Sequence, residues 1–213
     1  MLNSSGSLPA VCEDIEDSEM TQWVLASSSP RRQELFKLLQ TDFQVVPSHV
    51  DESVLAGESP ETLVVRLARE KALAVQVRYP AARIVGADTV VVCDREILGK
   101  PASYDAGRSI LRKLSGRTHQ VLTGMCLLHM DTTFVECSTT DVIFCHLTDL
   151  EIETYLQSGE PFDKAGAYAI QGLGARFVER IDGCYFNVVG LPVPKLYQMM
   201  KRLDFEVSRK QRG

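Results

Sequence analysis

The sequence predicts an α/β protein built on a mixed, twisted sheet flanked by helices. Segments of helical spacing, two of them opening at Ser-Pro steps, alternate with short valine-rich runs, the pattern of strands covered by helices. Two long strand-like segments joined by a tight turn require that part of the sheet be antiparallel. With 213 residues, 45% hydrophobic and 24% charged, the chain is long enough to bury a substantial core.

Residues 1–20, rich in Ser, Asp and Glu, predict a disordered acidic extension; one domain is expected over 21–207, with a basic tail at 208–213. Trp23 to Ala26 reads as a strand. Pro30 to about Gln40 reads as a helix with Leu35, Leu38 and Leu39 on one face, and Phe43 to Pro47 as a short strand. Ser59 is a helix cap and Pro60 a first helical residue; that helix runs to about Arg78 and carries Lys71 along the edge of its apolar face. Ile84 to Val92 is an apolar, valine-rich run interrupted by Gly86 and Asp88, which predicts a buried strand, and Glu96 to Gly99 returns as a hairpin. Tyr104 to Leu114 is a helix stopped by Ser115-Gly116. Thr118 to Met130 and Thr133 to Leu147 form the antiparallel pair, turning at Asp131-Thr132. Asp149 caps a helix to about Gln157. Residues 159–174, with five glycines, read as a loop whose backbone closely approaches a ligand. Phe177 to Ile181 is a strand, Asp182-Gly183 a hairpin turn into a return strand, and Leu191-Pro192 leads into a last helix ending near Arg202.

Composition narrows the function. The net charge of −5 is concentrated in Glu13, Asp14, Glu16, Asp17 and Glu19, leaving a near-neutral body without bulk attraction for nucleic acid. No apolar run reaches membrane-spanning length and no leader pattern is present, so no membrane partner is expected and the cytoplasm is the expected compartment. Six cysteines without C-x-x-C or zinc-finger spacing fit free thiols there. The chain has no G-x-x-x-x-G-K-[ST] loop and no complete dinucleotide fingerprint.

Three features carry chemistry. Leu25-Ala26-Ser27-Ser28-Ser29-Pro30-Arg31-Arg32-Gln33-Glu34-Leu35 joins a strand to a helix through a Ser29 cap and Pro30, with two always-charged guanidiniums suited to phosphate; the alternative is a capped surface helix with solvated arginines. Asp88 lies within a buried valine run, which is costly unless the carboxylate is paired or coordinating. It reads as a ligand for a divalent cation or a general base for water, against a carboxylate merely satisfied by backbone or a lysine. In 159–174, an Asp163-Lys164 pair and a lone Gln171 stand among the glycines. Glu52, Lys71 and Lys100 are anonymous alone.

Together these segments resemble the Maf family of nucleotide pyrophosphatases. The matching strings are A-S-S-S-P-R-R-Q-E-L at 26–35, V-R-L-A-R-E-K-A at 65–72, G-A-D-T-V-V at 86–91, G-K-P at 99–101, L-S-G-R-T-H-Q-V-L-T at 114–123, E-P-F-D-K-A-G-A-Y-A-I-Q-G-L-G at 160–174 and V-V-G-L-P at 188–192. The resemblance implies a Maf/Ham1 (ITPase-like) fold with two lobes around a central cleft, and hydrolysis of a nucleoside triphosphate to monophosphate and pyrophosphate with Mg2+ or Mn2+. It implies that Arg31, Arg32, Lys71 and Lys100 neutralise the triphosphate, with Ser27 and Lys164 also binding substrate. Asp88 matches the family's proton acceptor, and Asp88, Glu52 and Asp163 are its candidate metal ligands; base and ligand roles for Asp88 stay open. The A-Y-A-I-Q-G-L-G form looks like the branch acting on dTTP and UTP, with modified nucleotides as further candidates in a house-cleaning role, rather than the branch preferring 7-methyl-GTP. The Gln171 amide can match O4 and N3–H of thymine or uracil, with Arg31 and Thr89 at the other specificity positions. A homodimer is expected. The alternatives are a non-catalytic nucleotide-binding regulator of cell division and a nucleic-acid-binding module resting on Arg31, Arg32 and Arg209-Lys210-Gln211-Arg212.

Overall fold

The computed structural model describes residues 22–210, and the expected acidic extension and residues 211–213 lie outside them. The elements in chain order are β1 (Trp23–Ala26), α1 (Pro30–Phe36), β2 (Gln44–Val45), α2 (Pro60–Gln76), β3 (Arg83–Cys93), β4 (Glu96–Leu98), α3 (Tyr104–Leu114), β5 (Thr118–His129), β6 (Thr132–Phe144) and α4 (Asp149–Gln157). Three short 3-10 turns follow, Glu160–Asp163, Ala165–Ala167 and Leu173–Phe177, then β7 (Val178–Asp182), α5 (Tyr185–Val189) and α6 (Val193–Lys210). The expected mixed α/β sheet flanked by helices is present. Its strand order is β2-β1-β3-β5-β6-β7, with β4 also on β3.

Alternation along the central strands decides which helix covers which face. Val85 and Ala87 of β3, with Met125 and Leu127 of β5, join Phe36 of α1 and Leu196, Met199 and Leu203 of α6 in one buried cluster. The intervening residues, Ile84, Cys126 and Leu128, pack instead under Ala68, Ala72 and Val75 of α2. A further cluster gathers Leu111 and Leu114 of α3 with Ile152, Tyr155 and Leu156 of α4 at the far end of the sheet.

One topological detail positions the site. β1 runs parallel to β3 only from Arg83 to Gly86, and β4 pairs with β3 only from Val91 to Cys93, while β5 lines the other edge throughout. Residues 87–90 of β3 therefore have no strand beside them on one edge, just past the carboxyl end of β1. Crevices at strand carboxyl ends are where open α/β sheets take ligands.

Several local expectations are corrected. α1 stops at Phe36, not Gln40, because the chain turns to bring Phe43 edge-on to Phe36 at 4.8 Å; Leu38 is left 63% exposed. β2 has two residues rather than five. The β5–β6 turn is Met130-Asp131, since Thr132 already pairs with His129. Thr148, not Asp149, caps α4, in a reciprocal box with Glu151. Asp182-Gly183 makes no hairpin. Asn187 is buried and donates to Val121 O at 2.8 Å and Thr140 Oγ1 at 2.9 Å, which draws the chain into α5 instead of a return strand. α6 continues past Arg202 to Lys210, whose Nζ donates to Thr132 Oγ1 at 3.0 Å, so residues 208–210 are helical rather than a tail.

Candidate active site

The unpaired stretch of β3 faces the serine-arginine turn after β1. Ser27 Oγ accepts from Ser29 N–H at 3.2 Å, and Ser29 Oγ accepts from Arg32 N–H at 3.5 Å, closing the turn into α1. α1 has only seven residues, so fixed charge here comes from the guanidiniums more than from a helix dipole. Arg32 Nε donates to Gly190 O and its Nη2 to Thr89 Oγ1, both at 2.9 Å. Thr89 Oγ1 in turn lies 2.9 Å from Thr123 Oγ1. Arg32 is thereby held on β3 and on the turn before α6, with guanidinium N–H groups to spare for an anion. Burial pulls its pKa down from the ordinary value, while Asp88 and Glu52 oppose that pull. Arg31 extends across the cleft, its Nη1 3.6 Å from Asp163 Oδ2.

On the other face of β3, Lys71 Nζ meets two carboxylates at once, Glu52 Oε1 at 2.6 Å and Asp88 Oδ1 at 2.7 Å. The Lys71 and Asp88 side chains are only 8% and 11% exposed, so the pair is a buried one and removing either partner is costly. Two glycines set this distance. An added Cβ would lie 2.2 Å from Ala68 O at Gly86 and 2.2 Å from Val64 O at Gly124, so α2 rests directly on the backbone of β3 and β5. Lys71 follows Ala68 by three residues, which aims it at Asp88, two residues after Gly86 on the same face. Burial pushes the Glu52 carboxyl up, but its Lys71 hydrogen bond and the charges of Lys71, Lys100 and Arg32 outweigh this and leave it below the ordinary value.

Ser27, Arg31, Arg32, Glu52, Lys71, Asp88, Thr89, Lys100 and Asp163 all line one cleft of about 590 Å³. Gln171 and Lys164 line a smaller adjoining hollow, which shares Arg31 with the cleft. Lys164 is turned toward its own loop, donating to Glu160 O at 2.8 Å and to Asp163. Among the described residues no three His, Cys, Asp or Glu side chains converge. Glu52 and Asp88 meet on one ammonium, while Asp163 is engaged by Lys164. Two carboxylates completed by phosphate oxygens are an ordinary magnesium set, so the Glu52–Asp88 pair fits such an ion. Residue-by-residue reading missed Gly190 and Thr123, which hold Arg32 and Thr89, and the packing role of Gly86 and Gly124. The strings at 188–192, 114–123 and 86–91 contained three of these four without assigning them a task.

A family model described as Maf-like protein matches residues 22–203. A protein of Koribacter versatilis named dTTP/UTP pyrophosphatase is 49% identical over 84% of this chain and 93% of its own. Proteins of the same name from Syntrophomonas wolfei and a Geobacillus species are 48% and 49% identical, each over 87% of this chain and over 99% and 100% of their own length. Among solved structures, the Staphylococcus aureus Ham1 protein gives a weak likeness, with TM-score 0.44 and 19% identity over 58% of this chain and 72% of that one.

Proposed function

Since the chain belongs to the Maf family, we propose that its cleft hydrolyses nucleoside triphosphates, dTTP and UTP foremost, to the monophosphate and pyrophosphate. One observation carries the reading: Arg31, Arg32, Lys71 and Lys100 line the same cleft as the Glu52–Asp88 pair. Four cations suit a triphosphate and the charge that develops on the leaving pyrophosphate. A water oxygen attacks the α phosphorus, the bond from that phosphorus to the bridging oxygen breaks, and Asp88 takes the water proton. Lys71, bonded to Asp88, fixes the direction of that carboxylate. Arg32, immobilised by Thr89 and Gly190, orients the phosphate chain without having to be ordered first. Glu52 and Asp88 are the residues that would hold a Mg2+ or Mn2+ ion, which when bound supplies further neutralisation of phosphate charge.

Gln171 presents the base-reading amide in the hollow beside Arg31. Replacing Gln171 by Glu removes its donor, so turnover of dTTP and UTP should fall far more than thermal stability does. An equal loss on every nucleotide tested would remove Gln171 from base reading.

The protein is further proposed to act in the cytosol as a homodimer. Cys93, Cys126, Cys137, Cys145 and Cys184 are free thiols, which fits a reducing compartment. Among the described residues no helix is long and apolar enough to cross a membrane.

A further inference from the structure

The segment Ile170-Gln171-Gly172 is bracketed by one unit of two side chains that line neither the cleft nor the hollow. Leu173 N–H donates to Glu160 Oε2 at 2.9 Å, and Gly174 N–H to Glu160 Oε1 at 3.1 Å. The Tyr155 hydroxyl donates to the same Oε1 at 2.7 Å and accepts from Ala169 N–H at 3.2 Å. Backbone donors immediately before and after the three residues are thus tied to one carboxylate-phenol pair. Tyr155 is fully buried and packs edge-on against Phe177 at 5.0 Å, so the anchor point is rigid. Gly172 admits the carboxylate at close range, since an added Cβ would lie 2.3 Å from Glu160 Oε2. Burial pushes the Glu160 carboxyl up, while hydrogen bonds from Tyr155, Leu173 and Gly174 outweigh it and hold the group below the ordinary value. It is therefore an ionised acceptor at neutral pH, matched to three donors.

We propose that Glu160 and Tyr155 are positioning residues for nucleobase selection, fixing the backbone of 169–174 so that Gln171 reaches the base from one place. This rests on the reading of Gln171 as the group that meets the base. Uracil offers an acceptor at O4 beside a donor at N3, and cytosine offers the reverse pair. The terminal amide can rotate to suit either, so selection for uracil needs Gln171 held where the groups around the base admit only one of the two poses, and the anchored backbone supplies that fixed position. The anchor touches no substrate and acts only through the loop.

The test compares kcat and KM on UTP and CTP for the wild type, Tyr155→Phe, Glu160→Gln and Gln171→Ala, with thermal unfolding of each. Tyr155→Phe keeps the ring and removes only the hydroxyl, so it remains informative if Glu160→Gln fails to fold. The UTP:CTP ratio of kcat/KM should fall by about ten- to a hundredfold in the anchor variants, the scale expected when a binding group moves by about 1 Å. Most of that change should appear as a raised KM for UTP. A ratio held within twofold by every anchor variant that folds, but collapsed by Gln171→Ala, would make the anchor merely structural and overturn the proposal. A ratio unmoved by Gln171→Ala, whatever the anchor variants do, would remove the reading on which it rests.

Discussion

Replacing Gly86 by Ala should cost catalysis more than it costs folding, although the residue lies inside a strand and carries no functional group. The new Cβ would sit 2.2 Å from Ala68 O, 3.0 Å from Ala72 N and 3.1 Å from Ala72 Cβ, all on α2. Real Cβ contacts essentially never fall under 3.0 Å, so α2 must retreat from β3 by about 1 Å. Lys71 sits on the retreating turn and reaches Glu52 and Asp88 at 2.6 and 2.7 Å, distances that a 1 Å shift breaks. Overpacking should lower stability by about 1–3 kcal/mol, which for a chain of this length is a fall in Tm of about 2–12 °C. Misplacing the Lys71–Asp88 pair should lower kcat on dTTP by about a hundredfold at a temperature where the variant is still folded. The assay is pyrophosphate release at saturating dTTP, alongside calorimetric unfolding. A Gly86→Ala protein that loses stability as stated yet keeps kcat within twofold would refute the claim that the α2–β3 distance sets the geometry of the carboxylates.

Lys71→Met should abolish measurable turnover and, by leaving Asp88 buried without its counter-ion, destabilise the fold by on the order of 3 kcal/mol in urea unfolding; a stable, active variant would contradict the pairing. His119 is buried against Tyr168 and Phe144, and burial holds its pKa down to about 4 from the usual 6.5. The unfolded chain then binds a proton that the native state refuses between those two values. Stability should therefore decline as pH falls from about 6.5 toward 4, by about 3 kcal/mol from this group. An NMR titration of the His119 ring with a midpoint near 6.5 would contradict it. The hydrogen bond from Arg66 holds the Glu58 carboxyl down to about 2, with Arg66 Nη2 also donating to Ser53 O at 3.0 Å. A depressed carboxylate contributes stability that is complete above pH 4.5 and lost as pH falls through about 2. The difference in unfolding free energy between wild type and Glu58→Gln should accordingly be constant from pH 5 to 8 and vanish in strong acid.

Much of the scaffold was legible because local chemistry and tertiary structure agree there. The valine-rich run around Asp88 is β3, extended by one residue at each end, and helical spacing placed Lys71 on an edge that turns inward. Ser59 and Pro60 begin α2 as their chemistry predicts. Reading failed where a distant partner decides the outcome. Asp182-Gly183 has hairpin chemistry, but buried Asn187 bonds to β5 and β6 and takes the chain elsewhere. α1 is cut short by Phe43, seven residues beyond its end. The site residues were recognisable as types, and nine of them meet in one cleft. Their meeting depends on the register that ends β1 opposite Gly86 and ends β4 opposite Val91, a long-range fact with no local signature. Asp163 illustrates the limit: it lines the same cleft as Glu52 and Asp88, but its pairing with Lys164 and Arg31 has no local signature.

The most direct test of the central claim is the product of the reaction. The purified protein, with magnesium or manganese, is given dTTP, UTP, CTP, GTP and 7-methyl-GTP, and monophosphate, diphosphate, pyrophosphate and orthophosphate are quantified. Cleavage between the α and β phosphorus predicts equimolar monophosphate and pyrophosphate, highest from dTTP and UTP and lost in Asp88→Asn. Orthophosphate with nucleoside diphosphate, or tight nucleotide binding without any turnover, would contradict it.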